Sequence, residues 1–255
     1  DSVNQIDSKA FEGCSSLEEI KLSSSLNSIK SNAFYHCSSL KQIIIPDSVN
    51  QIDSKAFKGC SSLNEIVIPK SVKEIGEESF SGCSSLNIIK IYCPNINIGK
   101  GSFSGCRSLK EIMIPSSIKS IGKNFEECNE LRKIIIIDDE KVIEDYALQH
   151  LKTVEEIILP STIEIIGLNS FEGCTSLKEL IIPPSVTTIK DSSFHNCCKL
   201  THITIPDSVL EIGSNSFSEC SSLEEITLSS NIQSIPNNSF YHCSSLKQII
   251  IPDSV

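Results

Sequence analysis

The chain has 255 residues, of which 21% are charged, with a formal net charge of −10 and 12 cysteines. That acidic balance, with no basic stripe gathered on one face, argues against a nucleic-acid backbone as partner, and no run of about 18 apolar residues is present to cross a bilayer. A chain of this length would ordinarily hold one or two globular domains, but the spacers and low-complexity tracts that would separate them are missing. Taken in chain order, phenylalanines stand at 11, 34, 57, 80, 103, 125, 171, 194, 217 and 240, and these are all the phenylalanines there are. Successive gaps are 23 residues, except one of 22 between Phe103 and Phe125 and one of 46 in which Leu148 fills the skipped slot. The period is therefore 23, in eleven copies. Some copies are near-duplicates: DSVNQIDSKAF at residues 1–11 recurs at 47–57, and FYHCSSLKQIIIPDSV at 34–49 recurs unchanged at 240–255.

A fixed period of this size signals a solenoid, in which each unit buries its apolar face only by stacking on its neighbours. We read residues 1–255 as one elongated repeat domain. Within a unit, Ile66 and Ile68 alternate about Val67 and Pro69 follows, the period of two expected of a short strand that proline then ends. One strand per repeat, stacked about 4.8 Å apart, makes a parallel sheet. The remainder, S-V-x-x-I-G-x-x-x-F-x-x-C, spaces its apolar positions three to four apart around a frequent glycine, which predicts turns and a short helical segment returning along the other face. The slot at 138–154 departs from the pattern, with Leu148 for Phe, Leu151 for Cys and Glu140 for Val. A distorted, weak coil is expected there. Its acidic run Asp138-Asp139-Glu140 is a candidate calcium or partner contact, weighed against a solvated loop.

The motif L-x-x-I-x-I-P-x-S-V-x-x-I-G-x-x-A-F-x-x-C, as at residues 40–60 and 63–83, resembles the BspA-type leucine-rich repeat over essentially the whole chain. The resemblance implies a right-handed, curved leucine-rich-repeat coil with its parallel sheet on the concave face. It also implies a binding role, commonly in microbial and protist surface proteins that attach to host cells, matrix or other microbes.

Ten cysteines occupy one slot, three residues after the Phe position: Cys14, Cys37, Cys60, Cys83, Cys106, Cys128, Cys174, Cys197, Cys220 and Cys243. A slot shared with the inward apolar columns predicts buried thiols. Bridges between neighbouring rungs are geometrically conceivable, but disulfide scaffolds suit domains that lack a core. The off-ladder pair, Cys93 and Cys198, is the expected site of thiol reactivity. His195, Cys197, Cys198 and His202 offer soft ligands at a spacing that matches no finger or ribbon, so no metal is expected. His36-Cys37 and His242-Cys243 are one slot copied, not a dyad. Neither G-x-S-x-G, H-E-x-x-H, a P-loop nor a dinucleotide-binding glycine run occurs. The paired glutamates, such as Glu155-Glu156 and Glu224-Glu225, read as a solvated face. No catalytic residue and no cofactor are therefore expected.

The outward strand position reads Lys21, Ile44, Val67, Lys90, Met113, Ile135, Ile158, Ile181, Thr204, Thr227 and Ile250. Two residues earlier the column reads Glu19, Gln42, Glu65, Ile88, Glu111, Lys133, Glu156, Glu179, His202, Glu225 and Gln248. The apolar run Met113, Ile135, Ile158 and Ile181, rimmed by Glu111, Glu156 and Glu179, has the character of an interaction patch. The competing reading is that β-branched residues simply suit a pleat. These readings give a non-enzymatic binding module, a surface or secreted adhesin whose partner is a host-surface or matrix protein; an intracellular interaction scaffold is the alternative. Residue 1 falls mid-repeat and residues 251–255 lead into another unit, which suggests a piece of a longer array with its export signal or anchor elsewhere. One sequon, Asn237-Asn238-Ser239, is compatible with a secretory route.

Overall fold

In a computed structural model, residues 3–137 and 140–255 are described; Asp138 and Asp139 of the acidic run lie outside them. The chain divides into two compact units, residues 1–115 with 123–131 (unit 1) and residues 116–122 with 132–255 (unit 2). Each unit is a parallel β-solenoid whose turns repeat every 23 residues.

In unit 1 the strands Glu65–Ile68, Ile88–Ile91 and Glu111–Ile114 pair in parallel, with Ile66 opposite Ile89 and Ile89 opposite Ile112. Isoleucines that recur every 23 residues therefore stack on one another. Along Glu65–Ile68 burial alternates strictly, Ile66 and Ile68 inward and Glu65 and Val67 outward, as the pleat requires. In unit 2, Lys133–Ile136 pairs with Glu156–Ile158, and His202–Thr204, Glu225–Thr227 and Gln248–Ile249 form a second run of the same column.

The return path is not helical. Each unit carries a second column of two-residue strands: Ser28–Ile29, Gln51–Ile52, Glu74–Ile75 and Asn97–Ile98 in unit 1, and Val142–Ile143, Ile165–Ile166, Thr188–Ile189 and Glu211–Ile212 in unit 2. Beyond that column the chain makes tight turns around each Phe, and among the described residues the single helix is the 3-10 segment Gly122–Phe125. The reason is conformational. Except before Phe125, residues two before and two after the Phe are left-handed, as at Lys55 (φ 59°) and Gly59 (φ 76°) around Phe57, and Asn215 (φ 55°) and Glu219 (φ 62°) around Phe217; two such residues in five forbid a right-handed helix. The amides freed in this way bond across turns instead. Phe57 N–H donates to Ser79 O at 2.7 Å and Gly59 N–H to Ser81 O at 2.8 Å, so stacking, not a helical ladder, satisfies the backbone.

Two side-chain ladders fill the interior. Phe11, Phe34, Phe57, Phe80, Phe103 and Phe125 stack near-parallel in unit 1 with centroids 5.1–5.5 Å apart, and Phe171, Phe194, Phe217 and Phe240 stack likewise in unit 2 at 5.1–5.9 Å. Beside them run the cysteines, all free. Each ladder thiol from Cys37 onward donates to a carbonyl in the preceding turn: Cys60 Sγ to Phe34 O at 3.2 Å, Cys83 to Phe57 O at 3.3 Å, Cys197 to Phe171 O at 3.3 Å. The slot thus wants a small apolar side chain with one weak donor, and Cys supplies both.

The expected distortion at 138–154 is absent from its described part. Leu148 and Leu151 are buried at 0% and 3% exposure, Leu148 N–H donates to Ser170 O at 2.8 Å, and Cys174 Sγ donates to Leu148 O at 3.3 Å. Leucine is large enough to fill both rungs. The irregularity falls instead where the period shortens to 22, between Phe103 and Phe125, and there the 3-10 segment Gly122–Phe125 replaces the usual turn.

Candidate functional site

The outward positions of the long strands form the candidate surface, and the sequence places them correctly. In unit 2, Ile158 stands opposite Ile135, and Glu156 opposite Lys133; a parallel bridge joins Glu156 to Glu179. Ile158 and Ile181 are 40% and 85% exposed, while Ile135 is half-buried. An open groove of about 330 Å³ is lined by Ile158 and Ile181 together with Glu156, Glu179, Pro183 and Pro184. Five of the seven candidate residues, Ile135, Ile158, Ile181, Glu156 and Glu179, are thus brought onto one strand face.

Met113 and Glu111 lie in unit 1, in the equivalent columns. Met113 is half-buried and pairs with Lys90, and Glu111 with Ile88. Lys90 breaks the apolar column there; its Nζ reaches back to Glu65 at 2.6 Å, and that contact raises the lysine above its ordinary value. The most exposed apolar side chain of unit 1 is a residue not singled out from sequence: Ile44, at 84%, with Val67 next in its column at 38%. Reading the whole outward column by exposure, instead of picking its longest apolar run, would have found it.

Charges on the face of unit 2 are unevenly matched. The column before the rim is internally neutralised: Arg132 sits 3.3 Å from Glu155, Lys178 also pairs with Glu155, and Lys247 pairs with Glu224 at 2.7 Å. Hydrogen bonds from Lys178 and Lys247 hold the Glu155 and Glu224 carboxyls below their ordinary values. In the rim itself Lys133 pairs with Glu156 at 3.2 Å. No group of three or more metal-ligating side chains gathers among the described residues, and no helix there is long and apolar enough to cross a membrane.

The off-ladder cysteines separate. Cys198 is half-exposed and donates to Asn196 Oδ1 at 2.8 Å. Cys93, expected to be reactive, is 1% exposed, and burial pushes its thiol up to about 11. It continues the alternation of Ile91 and Tyr92, inward where Tyr92 is outward.

Stacked parallel strands with inward Leu, Ile, Phe and Cys columns on a 23-residue turn define a leucine-rich-repeat solenoid, a class of protein-interaction module. The chain belongs to the family described as the BspA type leucine rich repeat region, six copies of which match residues 1–107, 83–162 and 141–255. Among solved structures it is similar to a leucine-rich repeat protein from Bacteroides ovatus (26% identity, 87% of this chain and 76% of that one, TM-score 0.43). It is also similar to the leucine-rich repeat protein of T. pallidum (30% identity, 68% and 70%, TM-score 0.47) and to a leucine-rich cell surface protein from Faecalibacterium prausnitzii (25%, 88% and 76%, TM-score 0.37). No curated protein matches the chain.

Proposed function

We propose that the chain is a non-enzymatic adhesion module, displayed or secreted, that holds a host-surface or matrix protein against the strand face of unit 2. Ile135, Ile158 and Ile181 supply the apolar contact and Glu156 and Glu179 its rim; Met113 and Glu111 offer the same two columns in unit 1. The observation that carries this reading is the exposure of Ile158 and Ile181, 40% and 85%, side by side above one groove. Isolated exposed isoleucines need no explanation, but a contiguous row rimmed by charge is the character of a binding surface. Family membership supports the surface role. The twelve free cysteines favour the second reading, an intracellular scaffold, because reducing compartments keep thiols free.

The test is binding of the purified chain to intact epithelial cells and to immobilised matrix proteins, beside an Ile158→Asp/Ile181→Asp variant of equal melting temperature. Saturable binding that the variant loses supports adhesion through this face. Binding that the variant keeps moves the site elsewhere, and absence of binding by either chain favours the scaffold.

A further inference from the structure

The rim column of unit 2 shows what kind of partner the face suits. Glu179 and Glu225 are both exposed, and neither has an ion-pair partner among the described residues, whereas Glu156 and Glu224 each have one and Glu155 has two. His202, opposite Glu225 in register, stands between the two in turn order. Two turns separate the two carboxylates, about 10 Å at the ordinary strand spacing. Each stands two residues from an outward side chain of the adjoining column, Ile181 and Thr227 respectively, on the same face of its strand. The face therefore combines apolar area with negative charge that the chain itself leaves unneutralised, inside a molecule of net charge −10.

Resting on the proposed binding face, we infer that its partner is a cationic and apolar protein segment, with Lys or Arg side chains opposite Glu179 and Glu225 and an aliphatic side chain in the groove at Ile158 and Ile181. Two physical points favour this class. An acidic partner would meet carboxylates with no internal cation to offset them, and like charges brought together at an interface are strongly disfavoured. A cationic partner gains both steering and contact without first breaking an ion pair of the chain, which a partner for Glu155 or Glu224 would have to do. A purely cationic segment would leave Ile158 and Ile181 in water, so the apolar component is part of the inference.

The probes are three labelled nonapeptides: one of Lys, Leu and Gly, one with every Lys replaced by Glu, and one with every Leu replaced by Ser. Anisotropy titrations against the whole chain are expected to show the Lys/Leu peptide binding about tenfold or more tightly than either of the others, a difference of about 1.4 kcal/mol. Glu179→Gln/Glu225→Gln should remove most of the preference for Lys over Glu, and Ile158→Asp/Ile181→Asp most of the preference for Leu over Ser. A Glu74→Gln/Glu211→Gln chain, with the same net charge but altered on the other strand column, should behave as the parent. Equal loss in that control, or no loss in the Glu179→Gln/Glu225→Gln chain, means general attraction to an acidic surface and overturns the inference. If the peptides are not discriminated while Ile158→Asp/Ile181→Asp still abolishes cell binding, the binding face stands and the cationic partner falls.

Discussion

At the scale of single residues, the fold depends on side chains that recur in register, and the effect of removing one can be set against its surroundings. Phe57 has no exposed surface and lies 5.2 Å from the Phe34 ring and 5.1 Å from Phe80. Neighbouring turns are pinned by their own backbone bonds and cannot collapse into the gap, so Phe57→Ala is expected to cost about 3–5 kcal/mol, read as a lowered midpoint in urea unfolding. An unshifted midpoint would show that the ladder is not what holds the turns together. Thiol chemistry divides in the same local way. Alkylation of the folded chain followed by peptide mass mapping should modify half-exposed Cys198 well before Cys93, whose thiol is both buried and raised, since only the exposed thiolate reacts quickly. Cys93 modified as fast as Cys198 would contradict the inward placement. From sequence the two cysteines looked alike because both fall outside the ladder; what distinguishes them is that Cys93 extends a strand alternation by two residues, a signal that Tyr92 already carried.

At the scale of elements, the long strands were legible and the return path was not. The Glu65–Ile68 type of strand announces itself by alternation and a closing proline, and the outward columns read from it match the burial pattern. Two-residue strands such as Gln51–Ile52 are too short to show a period, and their isoleucines fall at spacings that mimic a helical face. The left-handed positions that exclude a helix are held by Lys, Glu, Tyr, His and Asn far more often than by glycine, so composition gave little warning of them. Close stacking of the return path makes one glycine more demanding than another. A Cβ on Gly76 would stand 2.4 Å from the Ser54 backbone nitrogen, whereas one on Gly59 would meet only the movable His36 ring at 2.8 Å, at a φ of +76°. Gly59→Ala is therefore expected to cost about 1–2 kcal/mol of left-handed strain. Gly76→Ala should lie at the top of the roughly 1–3 kcal/mol range for overpacking, or above it, because backbone has to move. Thermal melts of the two variants check the order, and Gly59→Ala proving the worse would mean that the turns slide apart more easily than their shared hydrogen bonds suggest.

At the scale of the whole molecule, repetition multiplies a small effect into a large one, and the cysteine ladder is where this should be measurable. Burial pushes the Cys83 and Cys174 thiols up to about 12 and raises those of Cys60, Cys197 and Cys220 as well. In the unfolded chain the same thiols ionise near about 8.5. Between those values the native chain keeps protons that the unfolded chain has released, so the unfolded state binds fewer protons and stability falls as pH rises. The stability that the neutral thiols provide is fully present below about pH 8 and is withdrawn progressively above it. Two pH units above the solution value, the Cys174 thiol, held up to about 12, favours unfolding by about 2.7 kcal/mol, and Cys197 and Cys220 push in the same direction. That is a large share of the stability of an ordinary domain, about 5–15 kcal/mol. We therefore expect the reduced protein to lose its sheet signal in circular dichroism by about pH 10.5, with the thiolate absorbance of the raised, buried Cys60, Cys83, Cys174, Cys197 and Cys220 appearing in that same transition. A chain carrying Cys174→Ala and Cys197→Ala should start less stable at neutral pH yet lose stability more slowly with rising pH, since fewer protons are released on unfolding. Absorbance from all twelve thiols that develops while the sheet signal holds would show the buried thiols ionising in place, and the inward ladder, with its bonds to the preceding turn, could not then be correct.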